Sequence, residues 1–264
     1  MKFLKSRWMM QLKLKRWVEF SLIAILFFTD FIGTVYLSTN NYILLSVILF
    51  SSTVLTFALK SFLKSISVIL FVKYIMIIFV PHFFVWPIHL IFPLIAFVAI
   101  SYFSDEKEYY LNLTALKLNK GVLEGGIVLI ISVSALFIWA NTSSSELEPL
   151  RRMIPDSSAI QLVFVALGFA LINAFLEEWL FRGVFQETLL KLNLNFSLAT
   201  FIQATLFAIA HYKLGVPSGS IGFAMTFVYA CALTFLVRKT GSLLVPILAH
   251  IFTDIAVFYL IVNS

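Results

Sequence analysis

Residues 159–182 read AIQLVFVALGFALINAFLEEWLFR. The first 18 of these carry no charge, and the run closes on two adjacent glutamates and an arginine. A stretch of that length is close to what a helix needs to cross the hydrocarbon core of a bilayer. It has no apolar/polar alternation, so it reads as a helix and not as a barrel strand. Charged groups inside such a helix are costly unless they are paired or used. The same stretch therefore decides the fold class and points to where the chemistry lies.

Working outward, further apolar stretches recur at 18–37, 42–59, 65–80, 84–103, 122–140, 196–212, 220–237 and 243–262. The chain is 61% hydrophobic and only 12% charged, against roughly 25% charged for an ordinary soluble domain. That excludes a soluble globule, and it excludes a disordered or fibrous chain. In lipid the backbone must be satisfied internally. The expectation is an all-α polytopic membrane helix bundle with about eight to nine transmembrane helices. Residues 1–16 are basic and the run after Trp17 is longer than a signal-peptide core, with no small-residue cleavage site behind it. It reads as a retained first span with Trp17 as an interfacial anchor. Pro81, Pro87 and Pro93 bracket the third and fourth stretches, which suggests a tight hairpin there. A straight helix from 159 to 191 would be about 50 Å long, too long for a ~30 Å core. A kink, or an interfacial segment after Arg182, is expected.

With the N-terminus in the cytoplasm and alternating spans, 15 of the 19 Lys/Arg fall inside and three outside, with Lys73 in a span. This follows the positive-inside rule. The net charge is +6, but no basic patch accompanies a soluble fold, so no nucleic-acid partner is expected. Cys231 is the only cysteine and can form no internal disulfide. Polar loops at 104–120 and 141–158 divide the chain. Residues 1–120 read as an N-terminal membrane region of four spans and a cytoplasmic loop, and 121–264 as a C-terminal membrane region. No internal or inverted repeat suggests a transporter.

The ionisable residues of the C-terminal region fall in three places: Asn173 to Arg182, Phe207 to His211, and His250 to Asp254. Each follows helical four-residue spacing. Asn173 and Glu177 share a face, and Glu178 and Arg182 can pair on another. The two glutamates point about 100° apart. Glu177 can then face a reaction site while Arg182 neutralises Glu178. His250 and Asp254 lie one turn apart. Counted from the helix ends near 191, 196 and 239, Glu177, His211, His250 and Asp254 all fall at a depth of roughly 16–22 Å. Three helices thus bring four polar residues to one layer.

Glu177-Glu178-x-x-x-Arg182, Phe207-x-x-x-His211 and His250-x-x-x-Asp254, in this order on successive apolar helices, resemble the CPBP (Abi/CaaX) intramembrane proteases, which include the type II CaaX prenyl endopeptidases. The resemblance covers about 160–262, and residues 1–120 carry no motif of that family. It implies that Glu177 is the general base, that His211 helps hold the attacking water, and that His250 and the residue at 254 face the oxyanion. CaaX-processing members usually have asparagine at that last position. An ionised aspartate cannot donate a hydrogen bond, so Asp254 is expected to orient His250 instead. Glu178, Arg182 and Asn173 are supporting residues in this reading.

The resemblance further implies a peptide or membrane-protein substrate and, in bacteria, peptide processing or bacteriocin self-immunity. No cofactor is expected. Zn²⁺ on His211, His250 and Glu177 is the alternative, since two imidazoles and a carboxylate can bind zinc with an open position. The histidines come from different helices and not from one H-E-x-x-H face, so the spacing does not demand a metal. Two other functions compete: a non-proteolytic membrane partner that keeps the fold, and an ion-coupled transporter using Glu177, His211 and Asp254 as a relay. Outside the motifs, Asp30 and Lys73 are expected to pair between spans. His82 and His89 are expected near the outer interface, and Glu124 suits a helix start. The Lys/Ile/Phe/Asn-rich composition suggests a bacterial cell membrane.

Overall fold

The computed structural model describes residues 2–35, 41–80, 88–103, 121–142, 147–152, 154 and 157–264. Pro81, His82, Pro87, the 104–120 loop and Ser143 lie outside the described residues. The regular elements among the described residues are all helices. The chain forms two compact units, residues 1–105 with 191–193, and 106–190 with 194–264.

The first unit holds α1 (Lys2–Val35), α2 (Tyr42–Ala58), α3 (Lys64–Phe79) and α4 (Ile88–Phe103). Consecutive helices pack on one another. Apolar side chains such as Val47, Phe50 and Val54 face outward, while Thr29, Asp30, Thr56 and Ser67 are buried. That is the polarity of a bundle solvated by lipid. Asp30 and Lys73 pair as the sequence suggested, with Lys73 Nζ donating to Asp30 Oδ1 at 2.7 Å and to Thr34 Oγ1 at 3.3 Å. The Tyr74 hydroxyl lies 3.3 Å from the same carboxylate oxygen.

The second unit holds α5 (Val122–Thr142), α6 (Glu148–Arg151), α7 (Ala159–Glu178), α8 (Glu187–Lys191), α9 (Phe196–Leu214), α10 (Gly219–Thr240) and α11 (Leu244–Val262). α7 begins at a capping box, in which the Ser158 side chain takes the Gln161 N–H and Gln161 answers the Ser158 N–H. Asn195 caps α9 by accepting from the Leu198 N–H. α10 ends at Gly241, whose φ of 65° is a left-handed cap that a β-carbon would disfavour. α9 packs on α10, and α11 packs on α5, α7 and α10. At Gly125 on α5 a β-carbon would come within 2.7 Å of Val245 on α11, so that crossing depends on glycine.

Two polar ties fix which helix ends lie together. Lys239 at the end of α10 pairs with Glu124 at the start of α5. Arg151 of α6 donates to the carbonyls of Val262 and Ser264 at the end of α11.

Five described segments are long and apolar enough to cross a membrane: Leu14–Val35, Val122–Thr142, Ala159–Lys191, Gly219–Thr240 and Leu244–Val262. Tyr42–Ala58 and Leu90–Ala99 are shorter apolar helices. The chain is an integral, multi-pass helical membrane protein. α9 falls outside the five because it carries Gln203, His211 and Lys213 along its 19 residues.

Beyond Glu178 the helix runs on to Lys191 through a π-helical segment, Trp179–Gln186. Val184, Phe185, Gln186, Thr188 and Leu189 beyond Arg182 are buried in protein. Arg182 is not a loop charge, being 1% exposed. It drops out of the inside count, which becomes fourteen against three.

Candidate active site

α7 presents a divided surface. Ile160, Phe164, Leu171 and Phe175 are exposed, while Asn173, Glu177 and Glu178 are buried. The division follows the helical period, which turns the polar residues to the protein interior and the apolar ones to lipid. The π segment starts directly after Glu178. Such widened turns occur mostly as single interruptions and often mark functional sites.

Glu178 is the most buried carboxylate of the group, at 0% exposure. Its Oε1 accepts from Arg182 Nη1 at 2.9 Å and from His250 Nδ1 at 2.8 Å. Arg182 Nη2 donates in turn to the Ala230 carbonyl at 3.3 Å, and the guanidinium lies over the Phe207 ring at 4.6 Å. A carboxylate only accepts, so His250 Nδ1 carries a proton and donates it. Glu178 thus fixes the tautomer and the plane of His250. That corrects the expectation that Asp254 does so. A four-residue step on one helix allowed Asp254 the contact, but the ring turns its Nδ1 across to α7.

Asp254 occupies a different place. Its Oδ2 accepts from Asn173 Nδ2 at 3.1 Å, and its Oδ1 stands 3.6 Å from His250 Nε2. Asn173 therefore ties α7 to α11.

His211 is held by its own helix, with Nδ1 2.8 Å from the Phe207 carbonyl. A carbonyl also only accepts, so here too Nδ1 is the donor and Nε2 faces away from the helix. Phe207 packs on both imidazoles, with ring centroids 4.4 Å from His211 and 6.2 Å from His250.

The two Nε2 atoms meet at Glu177. Its Oε2 is 3.7 Å from His211 Nε2 and 3.6 Å from His250 Nε2, and it is buried without a hydrogen-bond partner. These separations exceed a direct hydrogen bond. They are the separations of groups joined through a bridging molecule and not by direct contact. The structure thus gathers all seven sequence-derived candidates, Asn173, Glu177, Glu178, Arg182, His211, His250 and Asp254, into one cluster on α7, the π segment, α9 and α11, in which His211 is half-buried and the other six are buried. Among the described residues no group of three His, Cys, Asp or Glu side chains is arranged to hold a metal ion.

Tyr229 on α10 is a neighbour that motif spacing did not single out. Its ring stands edge-to-face on His250 at 5.5 Å, and its hydroxyl donates to Thr253 Oγ1 at 3.2 Å. It belongs to no spaced polar pair, so only the packing of α10 on α11 exposes its role.

Residues 159–256 match the family model described as Type II CAAX prenyl endopeptidase Rce1-like. This bears out the resemblance read from the three motifs, over nearly the same region, and the activity it carries in general terms is CAAX-type intramembrane proteolysis. No curated protein and no solved structure matched the chain significantly.

Proposed function

We propose, with that match as the premise, that this protein is an intramembrane endopeptidase in which Glu177 activates water to hydrolyse a peptide bond. The observation that carries the reading is the gap of 3.6–3.7 Å between Glu177 Oε2 and the two Nε2 atoms. A water roughly 2.8 Å from each would be held by all three groups. Both Nδ1 atoms are already committed as donors; the water donates to Glu177 Oε2 and to the neutral His211 Nε2, and its oxygen accepts from His250 protonated at Nε2. Glu177 takes one water proton as the oxygen attacks the carbonyl carbon. The tetrahedral intermediate collapses with cleavage of the C–N bond, and the proton passes to the leaving amine. The carboxylic acid and amine so formed exchange the second water proton to give a carboxylate and an ammonium, and atoms balance without a further reagent.

His250 is suited to the developing oxyanion once its Nε2 is protonated. Glu178 supports that state, because a charged imidazole then has a carboxylate beside each of its nitrogens. Asp254 adds negative charge on the same side, and Asn173 holds it in place. Phe207 and Tyr229 wall off the rings. No metal enters this mechanism.

The catalytic core in this reading is residues 160–262, with residues 1–120 a separate membrane region. The substrate is a peptide or a membrane-protein segment that enters from the bilayer. The protein acts in a bacterial cell membrane, in peptide processing or self-immunity to bacteriocins. The test is a peptidome comparison of cells carrying wild-type protein or Glu177→Gln, with prenylated and unprenylated reporter peptides incubated with the purified proteins. Peptides that appear only with wild type support the reading, and identical peptidomes and reporter profiles refute it.

A further inference from the structure

The helix that carries Glu177 continues past the site as a polar column. Glu178, Arg182 and Gln186 follow at four-residue steps along it, and all three are buried. Facing them, Gln203 on α9 and Thr234 on α10 are 0% and 1% exposed. Thr234 Oγ1 lies 2.9 Å from Gln203 Oε1 and 2.9 Å from the Ala230 carbonyl that Arg182 also uses. Gln186 Nε2 donates to Thr200 Oγ1 at 3.4 Å. At helical rise the column runs about 12 Å from Glu178 to Gln186, toward the α8–α9 end of the helices.

Four of its atoms are buried without partners: Glu178 Oε2, Arg182 Nε, Gln186 Oε1 and Gln203 Nε2. Two are acceptors and two are donors. A cation would suit only the acceptors, and hydrocarbon would suit neither. Buried polar groups in native proteins are partnered by protein or by ordered water, and water both donates and accepts. Phe181 and Phe207 pack edge-to-face at 4.8 Å beside this column.

We infer that the column holds a file of water and supplies the water that Glu177 consumes, from the α8–α9 end of the bundle. The supply role rests on the hydrolytic reading above, whereas the presence of water does not. A buried site that uses one water per turnover needs such a route, because lipid and apolar substrate deliver none. Gln203 and Gln186 are then positioning residues that act through water.

The test is radiolytic hydroxyl-radical labelling of the full chain in ¹⁸O water, read by mass spectrometry. Phe181 and Phe207 are 6% and 1% exposed, and Phe97 of the first unit, at 1%, is the equally buried control. The expected result is labelling of Phe181 and Phe207 well above Phe97. Gln203→Leu should reduce that labelling and lower kcat by about tenfold with KM unchanged. Gln203→Glu, which keeps polar atoms in place, should retain most of both. If Gln203→Leu fails to fold, Thr234→Val is the substitute, and wild-type labelling alone decides hydration. Labelling no greater than at Phe97 overturns the water file. Labelling that falls in Gln203→Leu while kcat holds overturns the supply role. Labelling without cleavage by wild type overturns the proposed function and leaves the water file standing.

Discussion

Arg182→Ala isolates what holds the buried charges together. The guanidinium makes a 2.9 Å ion pair with Glu178, a 3.3 Å hydrogen bond to the Ala230 carbonyl and a face contact with Phe207 at 4.6 Å. Glu178 is fully buried, so no solvent can replace the lost cation. Removing one partner of such a pair costs about 3–5 kcal/mol, because it strands the other charge. The stacked cation contact adds about 1 kcal/mol. Against a total stability of about 5–15 kcal/mol, that is a large fraction. The expected outcome is a several-fold fall in membrane abundance and a clear drop in the thermal midpoint of the detergent-purified protein. Both are measurable with a fluorescent fusion followed by size-exclusion chromatography. Glu177→Gln is the matched control. It is nearly isosteric and removes no direct hydrogen bond, since the groups facing Oε2 are 3.6 Å away or more. It should shift stability by less than about 1 kcal/mol. Glu178→Gln combined with Arg182→Leu should recover much of the abundance, because the pair is then replaced and not broken. Wild-type abundance and midpoint for Arg182→Ala would refute this reasoning.

Other predictions follow from the same geometry. Glu178→Ala should lower kcat by about 10²-fold, because it frees the His250 ring that it orients, while Glu178→Gln should retain more activity by still accepting from Nδ1. Lys73→Met should reduce membrane abundance by stranding Asp30, at a cost of about 3 kcal/mol, and should leave the kcat of the surviving protein unchanged. Cysteines placed at Asn193 and Asn263 in a Cys231→Ser background should label from opposite sides, with Asn263 reached from outside intact cells; ready external labelling of Asn193 would reverse the orientation. Cleavage by purified protein should survive exhaustive treatment with a strong chelator, whereas loss of activity restored by zinc but not by magnesium would make His211 and His250 ligands.

Much of this was legible in the sequence because lipid removes alternatives. Long apolar runs had to be helices, and the stretches read at 42–59, 122–140 and 243–262 differ from α2, α5 and α11 by at most two residues at either end. The site was legible because charge inside such runs is costly, so Glu177, His211, His250 and Asp254 stood out before any contact was known. Three things were not legible. The π segment at Trp179–Gln186, most of it buried in protein, has no signature in local propensity. The partner of His250 was assigned to Asp254 by helical spacing, which counts neighbours on one helix and is blind to α7 across the interface. The inward placement of Gln186 and Gln203 was missed because uncharged amides do not stand out as charges do, and only their burial reveals them.

The central claim is that Glu177 uses water to cut a peptide bond inside the membrane. The direct measurement is cleavage by purified wild type and Glu177→Gln in ¹⁸O water, with a substrate taken from the peptidome comparison and mass spectrometry of the products. The account predicts one ¹⁸O in the new C-terminal carboxylate with wild type, and no product with Glu177→Gln at equal protein. The same products and the same label with Glu177→Gln would contradict it.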